Sequence, residues 1–177
     1  RIAYDICPVN IVLNYYVKQL GFNFDDKGAI AKTGNIHTGL LNKLNTIEFY
    51  KMPIPKSLGF EFVEKEIIPL IDSYKLSVND ILRTFVEHIA LKIVEQVENS
   101  CSKKMLVTGG GAYNVFLINL VKSKTLCELV IPNKGLINYK EALIFAFLGV
   151  LKVNNEVNCL SSVTGATKDH SSGKIYL

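Results

Sequence analysis

The sequence predicts an α/β fold with at least one parallel crossover. Two observations carry that reading. After residue 77 the elements run long helix, short strand, glycine loop, helix, strand, helix. The long helix is marked by Val78, Ile81, Leu82, Phe85, Val86, Ile89, Ala90, Ile93, Val94 and Val97, which step by three and one throughout. That spacing makes one apolar stripe, suited to packing along a sheet.

From the start, Arg1 to Tyr4 reads as the tail of a strand entering a turn at Asp5. Pro8 to Leu20 has helical spacing, with Pro8 at a first helical position and Gly21 as its stop. Short helices are expected over Lys27 to Lys32 and Thr38 to Leu44. Met52 to Gly59, with two prolines and a glycine, is a stiff ordered loop. A helix from about Phe60 to Ile68 is expected to bend or end at Pro69. Ser77 is the N-cap of the long helix, with Asp80 three residues on. Met105 to Thr108 reads as a buried strand, Asn114 to Val121 as a helix, and Glu128 to Ile131 as a strand stopped by Pro132 and Asn133. Tyr139 to Val153 reads as an apolar helix opened by Glu141 and buried in the core. Ser161 to Ala166 is turn-rich, and Gly173 to Leu177 reads as a final edge strand.

The 177 residues suffice for one domain, or for a large piece of a two-domain protein. At this size roughly 70% of the unfolded surface can be buried, so a core forms without metals or disulfides. Twenty basic and 16 acidic residues leave a net charge of +4, with no basic run beyond Lys103-Lys104. A nucleic-acid stripe is therefore not indicated. Cys7, Cys101, Cys127 and Cys159 form no C-x-x-C pair and read as reduced thiols of a cytosolic protein. Ala142 to Leu151 is too short an apolar run to span a bilayer. A chain beginning at Arg1 reads as a piece of something longer.

Two constellations could carry chemistry. In Val107-Thr-Gly-Gly-Gly-Ala-Tyr-Asn114 a strand runs into three glycines and then a helix. Such a loop lets a nucleotide or phosphate approach the backbone, and the helix offers N–H groups to an anion. A side chain at Gly110 would clash with that nucleotide or demand a positive φ. The alternative is a tight strand-to-helix turn. The pattern is neither G-x-G-x-x-G nor a P-loop. In Tyr4-Asp5-Ile6-Cys7-Pro8-Val9-Asn10 an acid stands at a strand end before a helix. Asp5 is either a general base or a helix-entry cap, and the residues alone favour the cap. No His lies near Cys7, so its inert reading is favoured. His88 reads as a boundary packing residue. Glu141 is either an acid complementing a helix dipole or a carboxylate facing a cleft. Lys56 and Ser57 could be structural or substrate-facing. His37, His88 and His170 lack metal-ligand spacing, and no metal site is expected.

Taken together, five stretches resemble the anhydro-N-acetylmuramic acid kinase family. YDICPVN is similar to the family's F-D-x-G-P-x-N, IPKSLGFE to P-P-K-S-x-G-R-E, LVTGGGAYN to G-G-G-A-x-N, YKEALIFAFLG to E-A-x-x-F-A, and LSSVTGA to S-V-T-G-A. Cys7 and Val9 depart from the glycines common in the family, and Phe60 from its Arg.

The resemblance implies the sugar-kinase, actin and heat-shock-chaperone ATPase superfamily, with two ribonuclease-H-like domains. Residues 1–177 would be most of the second, C-terminal domain, expected to be inactive alone. The implied reaction uses ATP, Mg²⁺ and water to open the 1,6-anhydro bridge of anhydro-N-acetylmuramic acid and phosphorylate O6. By the same resemblance Asp5 is the catalytic base, and Gly109, Gly110, Gly111, Ala112 and Asn114 bind nucleotide. Asn10 and Glu141 fall near the sugar. The implied partners are the sugar and ATP in the cytoplasm, with neither nucleic acid nor membrane, and a homodimer left open. The alternatives are a non-catalytic ATP-binding member of the superfamily, or a dinucleotide-binding domain with Glu128 on the ribose.

Overall fold

The computed structural model describes residues 1–100 and 102–176. Cys101 and Leu177 lie outside the described residues, and with them one expected thiol and the end of the expected edge strand. The chain forms two compact units. One comprises Arg1–Asp5, Pro53–Ser57 and Asn133–Leu177, the other Ile6–Met52 and Leu58–Pro132.

The second unit is built around helices. Helix α1 (Asn10–Val17) starts after Pro8 and tightens into a 3-10 turn over Lys18–Leu20. Its N-cap position is Val9, with no side-chain cap. Helix α2 (Ala29–Thr33) has its first N–H groups, those of Ile30 and Ala31, accepted by the Asp25 carboxylate at 2.8 and 2.9 Å. Helix α3 (Thr38–Asn45) is capped by the His37 ring, whose Nδ1 accepts the Leu40 N–H at 3.1 Å.

Pro69 neither ends nor breaks its helix. Helix α4 (Phe60–Phe62) passes through a π-helical turn (Val63–Ile67) into α5 (Ile68–Asp72), with Pro69 in the first turn of α5. A π-turn shifts the hydrogen-bond register, and a first-turn position does not need the N–H that proline lacks.

Helix α6 (Val78–Asn99) follows its predicted stripe. Ser77 caps it by accepting the Asp80 N–H. It packs against α1, α2 and α3 and against α7 (Val115–Lys124). Leu82, Phe85, Val86, Ile89 and Ala90 are fully buried and join Val12, Tyr16, Leu40 and Leu44 in one core.

His88 is not at a boundary; it is completely buried. Its Nδ1 is 2.7 Å from Asn45 Oδ1 and its Nε2 is 2.8 Å from the Tyr50 hydroxyl. An amide oxygen can only accept, so Nδ1 carries the proton and Nε2 accepts from Tyr50. Burial first, then the Lys92 charge, hold the imidazole down to a value of about 3. Glu87, also buried, is held by Arg83 at 2.8 Å and Lys124 at 2.6 Å. Burial opposes its ionisation, but these two cations outweigh it and leave the carboxyl below its ordinary value.

The crossover is present. Strand β1 (Lys104–Leu106) pairs in parallel with β2 (Glu128–Val130), joined through α7, with Met105 opposite Leu129. This pair packs on the core. The flanking positions face out, so β1 is half-buried rather than a buried strand.

The first unit departs further from expectation. Arg1 to Tyr4 forms no strand, because among the described residues no strand pairs with it. Helix α8 (Lys134–Val153) starts five residues before Tyr139, because Asn133 Oδ1 caps it through the Leu136 N–H at 2.9 Å. Glu141 therefore lies in the helix interior, where the dipole of the first turn no longer acts. Nor is α8 a core helix, since Ile137 is its one buried residue among those described. A short helix α9 (Ser161–Thr164) is closed by Gly165 at φ 72°, a conformation glycine takes without steric cost. Gly173 to Tyr176 forms no strand. Instead Cys159 and His170 make one antiparallel bridge, and the Asn158 side chain holds Ser172 by its N–H at 2.7 Å and its carbonyl at 3.2 Å. No helix of the described residues is long and apolar enough to cross a membrane.

Candidate functional site

In the first unit, Asp5 is exposed and is not the cap of α1, whose N-cap is Val9. It is tied instead to the proline loop. The Asp5 N–H donates to the Lys56 carbonyl at 2.9 Å, and the Ser57 hydroxyl donates to Asp5 Oδ2 at 3.0 Å. Pro53 and Pro55 make this loop stiff. A cavity of about 400 Å³ opens here, bounded by Tyr4, Asp5, Lys56, Ser57, Thr164 and Gly165. Thr164 is fixed in turn, since its hydroxyl donates to the Leu160 carbonyl at 2.9 Å. Three of the sequence stretches singled out above thus meet at one cavity. Lys56, Ser57 and Thr164 were not among the predicted site residues. The signal for the first two was the stiff loop that frames them.

In the second unit the glycine stretch and Asn10 come together. Gly109 has φ 77° and ψ −178°, a region open essentially to glycine alone. The positive φ falls at Gly109, not at Gly110. At Gly110 the constraint is contact, because an added Cβ would press on Asn10 Nδ2 at 3.1 Å. Asn10 is the first residue of α1. With Val9, Thr108 and Gly111 it borders a cavity of about 270 Å³ that also reaches Met105 and Leu129.

The glycines do not lead straight into a helix. A 3-10 turn (Gly110–Tyr113) intervenes before α7. Ala112 is buried within it. Asn114 is buried as well, and its Oδ1 accepts the Leu117 N–H at 3.0 Å. That cap satisfies one of the first-turn donors that the sequence offered to an anion. What the stretch presents is its own glycine backbone.

Cys7 is half-buried, and burial pushes its thiol up to about 12, with Lys92 opposing the shift. A thiol held that high is not a nucleophile. Glu141 borders neither cavity. Glu128 stands at the start of β2, whereas the ribose acid of a dinucleotide site stands at a strand's end, and it pairs with Lys104 at 2.9 Å. Among the described residues no group of three or more His, Cys, Asp or Glu could hold a metal ion.

The profile of one protein family, anhydro-N-acetylmuramic acid kinase, matches residues 1–177. The chain belongs to the anhydro-N-acetylmuramic acid kinase family. Among relatives carrying that name, the Haemophilus influenzae protein is 30% identical, over 99% of this chain and 51% of its own length. The Actinobacillus pleuropneumoniae serotype 7 protein is 33% identical over 99% and 50%. The Caldanaerobacter subterraneus protein is 29% identical over 99% and 48%. The chain spans about half the length of the curated kinase-family relatives it matches.

Proposed function

We propose that the whole protein is an ATP-dependent anhydro-N-acetylmuramic acid kinase of the cytoplasm, and that residues 1–177 are most of its C-terminal domain, with an actin-like ATPase fold. Family membership over residues 1–177 supports the activity, and the parallel crossover is compatible with the fold. The observation that carries the mechanism is the anchoring of Asp5 by Ser57 and Lys56 at the wall of a cavity.

Asp5 takes a proton from water, whose oxygen attacks the anomeric carbon. The bond from that carbon to O6 breaks, and O6 accepts the γ-phosphoryl group of ATP, leaving ADP and the 6-phosphate of N-acetylmuramic acid. The backbone of Gly109, Gly110 and Gly111, shaped by buried Ala112 and by the Asn114 cap, receives the nucleotide. The family resemblance alone assigns Asn10 and Glu141 to the sugar: Asn10 stands against Gly110 of the glycine stretch, and Glu141 borders neither cavity. Mg²⁺ accompanies the ATP phosphates, which commonly supply much of its coordination. The described residues offer no cluster of His, Cys, Asp or Glu to hold the ion alone.

Asp5→Asn in the whole protein tests this reading. It keeps size and shape but cannot take the proton. With ATP and anhydro-N-acetylmuramic acid, kcat should fall at least about a hundredfold, with KM within a few-fold. A near-normal kcat removes Asp5 from the mechanism.

A further inference from the structure

Resting on the base role proposed for Asp5, we propose that Ser57 is a positioning residue, whose hydroxyl holds the Asp5 carboxylate in the orientation from which it accepts the proton of water. Asp5 is exposed and stands in a stretch with no helix or strand to hold it. An aspartate in such a place samples several staggered χ1 wells and a broad χ2. A base that wanders between rotamers is aimed at its water only part of the time, and misplacement by about 1 Å can cost about a hundredfold in rate.

Two bonds from consecutive residues remove that freedom. The Lys56 carbonyl takes the Asp5 N–H at 2.9 Å and sets the backbone. The Ser57 hydroxyl reaches Oδ2 at 3.0 Å and sets the side chain. Backbone and carboxylate are thus held from one short loop stiffened by Pro53 and Pro55. A hydroxyl donating to a carboxylate makes a charge-assisted bond. Each carboxylate oxygen accepts more than one hydrogen bond, so the Ser57 bond orients the group without using up its capacity to take a proton. Ser57 keeps its own proton throughout. The proton of water goes to Asp5 as the water oxygen bonds to the anomeric carbon. Ser57 is exposed and lies on the same cavity wall as Asp5, where the bond does little for the core.

The test compares Ser57→Ala, Ser57→Thr, Asp5→Asn and the Asp5→Asn/Ser57→Ala pair in the whole protein, with ATP and anhydro-N-acetylmuramic acid. Ser57→Ala should lower kcat about tenfold, with KM within a few-fold and the melting temperature unchanged. Ser57→Thr, which keeps the hydroxyl, should recover most of that loss. In the Asp5→Asn background Ser57→Ala should add nothing, because the carboxylate it aims is gone. A normal kcat for Ser57→Ala, no recovery in Ser57→Thr, or an undiminished effect in the Asp5→Asn background overturns the positioning role. If Asp5→Asn loses kcat and Ser57→Ala does not, the base reading stands and this inference alone falls. If Asp5→Asn itself keeps its rate, both fall.

Discussion

The two long helices, α6 and α8, are both rich in apolar side chains, and they end in opposite surroundings. Phe85 of α6 is 0% exposed, whereas Phe145 of α8 is 71% exposed. The difference lies in how the apolar residues are arranged. In α6 they form one stripe, and α1, α2, α3 and α7 each cover part of it. In α8 the run from Ala142 to Leu151 is apolar all round. A stripe specifies which face meets a neighbour, while an all-round run asks for cover on every side. The described residues of its unit do not supply that cover. Hydrophobicity by itself therefore says how much surface a helix would bury, and the arrangement of elements says whether it does.

Several substitutions in the 177-residue chain test this contrast through urea or thermal unfolding. The largest effect is expected for Phe85→Ala, about 3–5 kcal/mol, because it leaves a cavity in a packed core. A loss under about 1 kcal/mol would mean that the α6 core is loosely packed. Gly109→Ala should cost about 1–3 kcal/mol, since alanine resists the backbone found there. No cost would show that the loop relaxes freely and is not held by β1 and α7.

The third effect depends on pH. His88 has a folded-state value of about 3 against an ordinary 6.5. As pH falls below 6.5 the unfolded chain takes up a proton that the folded core, with Asn45, Tyr50 and Lys92 around the ring, refuses until about pH 3. Its stabilisation is therefore complete above pH 6.5 and drains away between there and about pH 3. From pH 7 to pH 5 this amounts to about 2 kcal/mol. His88→Gln should flatten that part of the urea-midpoint profile, and an unchanged slope would assign it to other groups. The smallest effect is expected for Phe145→Ala, within about 0.5 kcal/mol. A cost comparable to that of Phe85→Ala would show that α8 is covered and would erase the contrast.

Much of the candidate site was legible because its residues lie in short, chemically distinctive stretches. The three glycines, Asn10 and Asp5 could be named without coordinates. Ser57 could not be assigned to Asp5, because the two are 52 residues apart in sequence and only folding brings them to 3.0 Å. The contact between Gly110 and Asn10 was hidden for the same reason.

The sequence by itself determined the elements that local rules control. The stripe of α6, the Ser77 cap and the irregular proline loop follow from periodicity, side-chain caps and backbone chemistry within a few residues. Tertiary structure decided everything that depends on a distant neighbour. It left α8 exposed, sank His88 between Asn45 and Tyr50, carried a helix through Pro69 by a π-turn, and denied Arg1 to Tyr4 and the C-terminal stretch their strands. A strand needs a partner, and a buried side chain needs cover from elements remote in sequence. Neither is encoded within the segment that requires it.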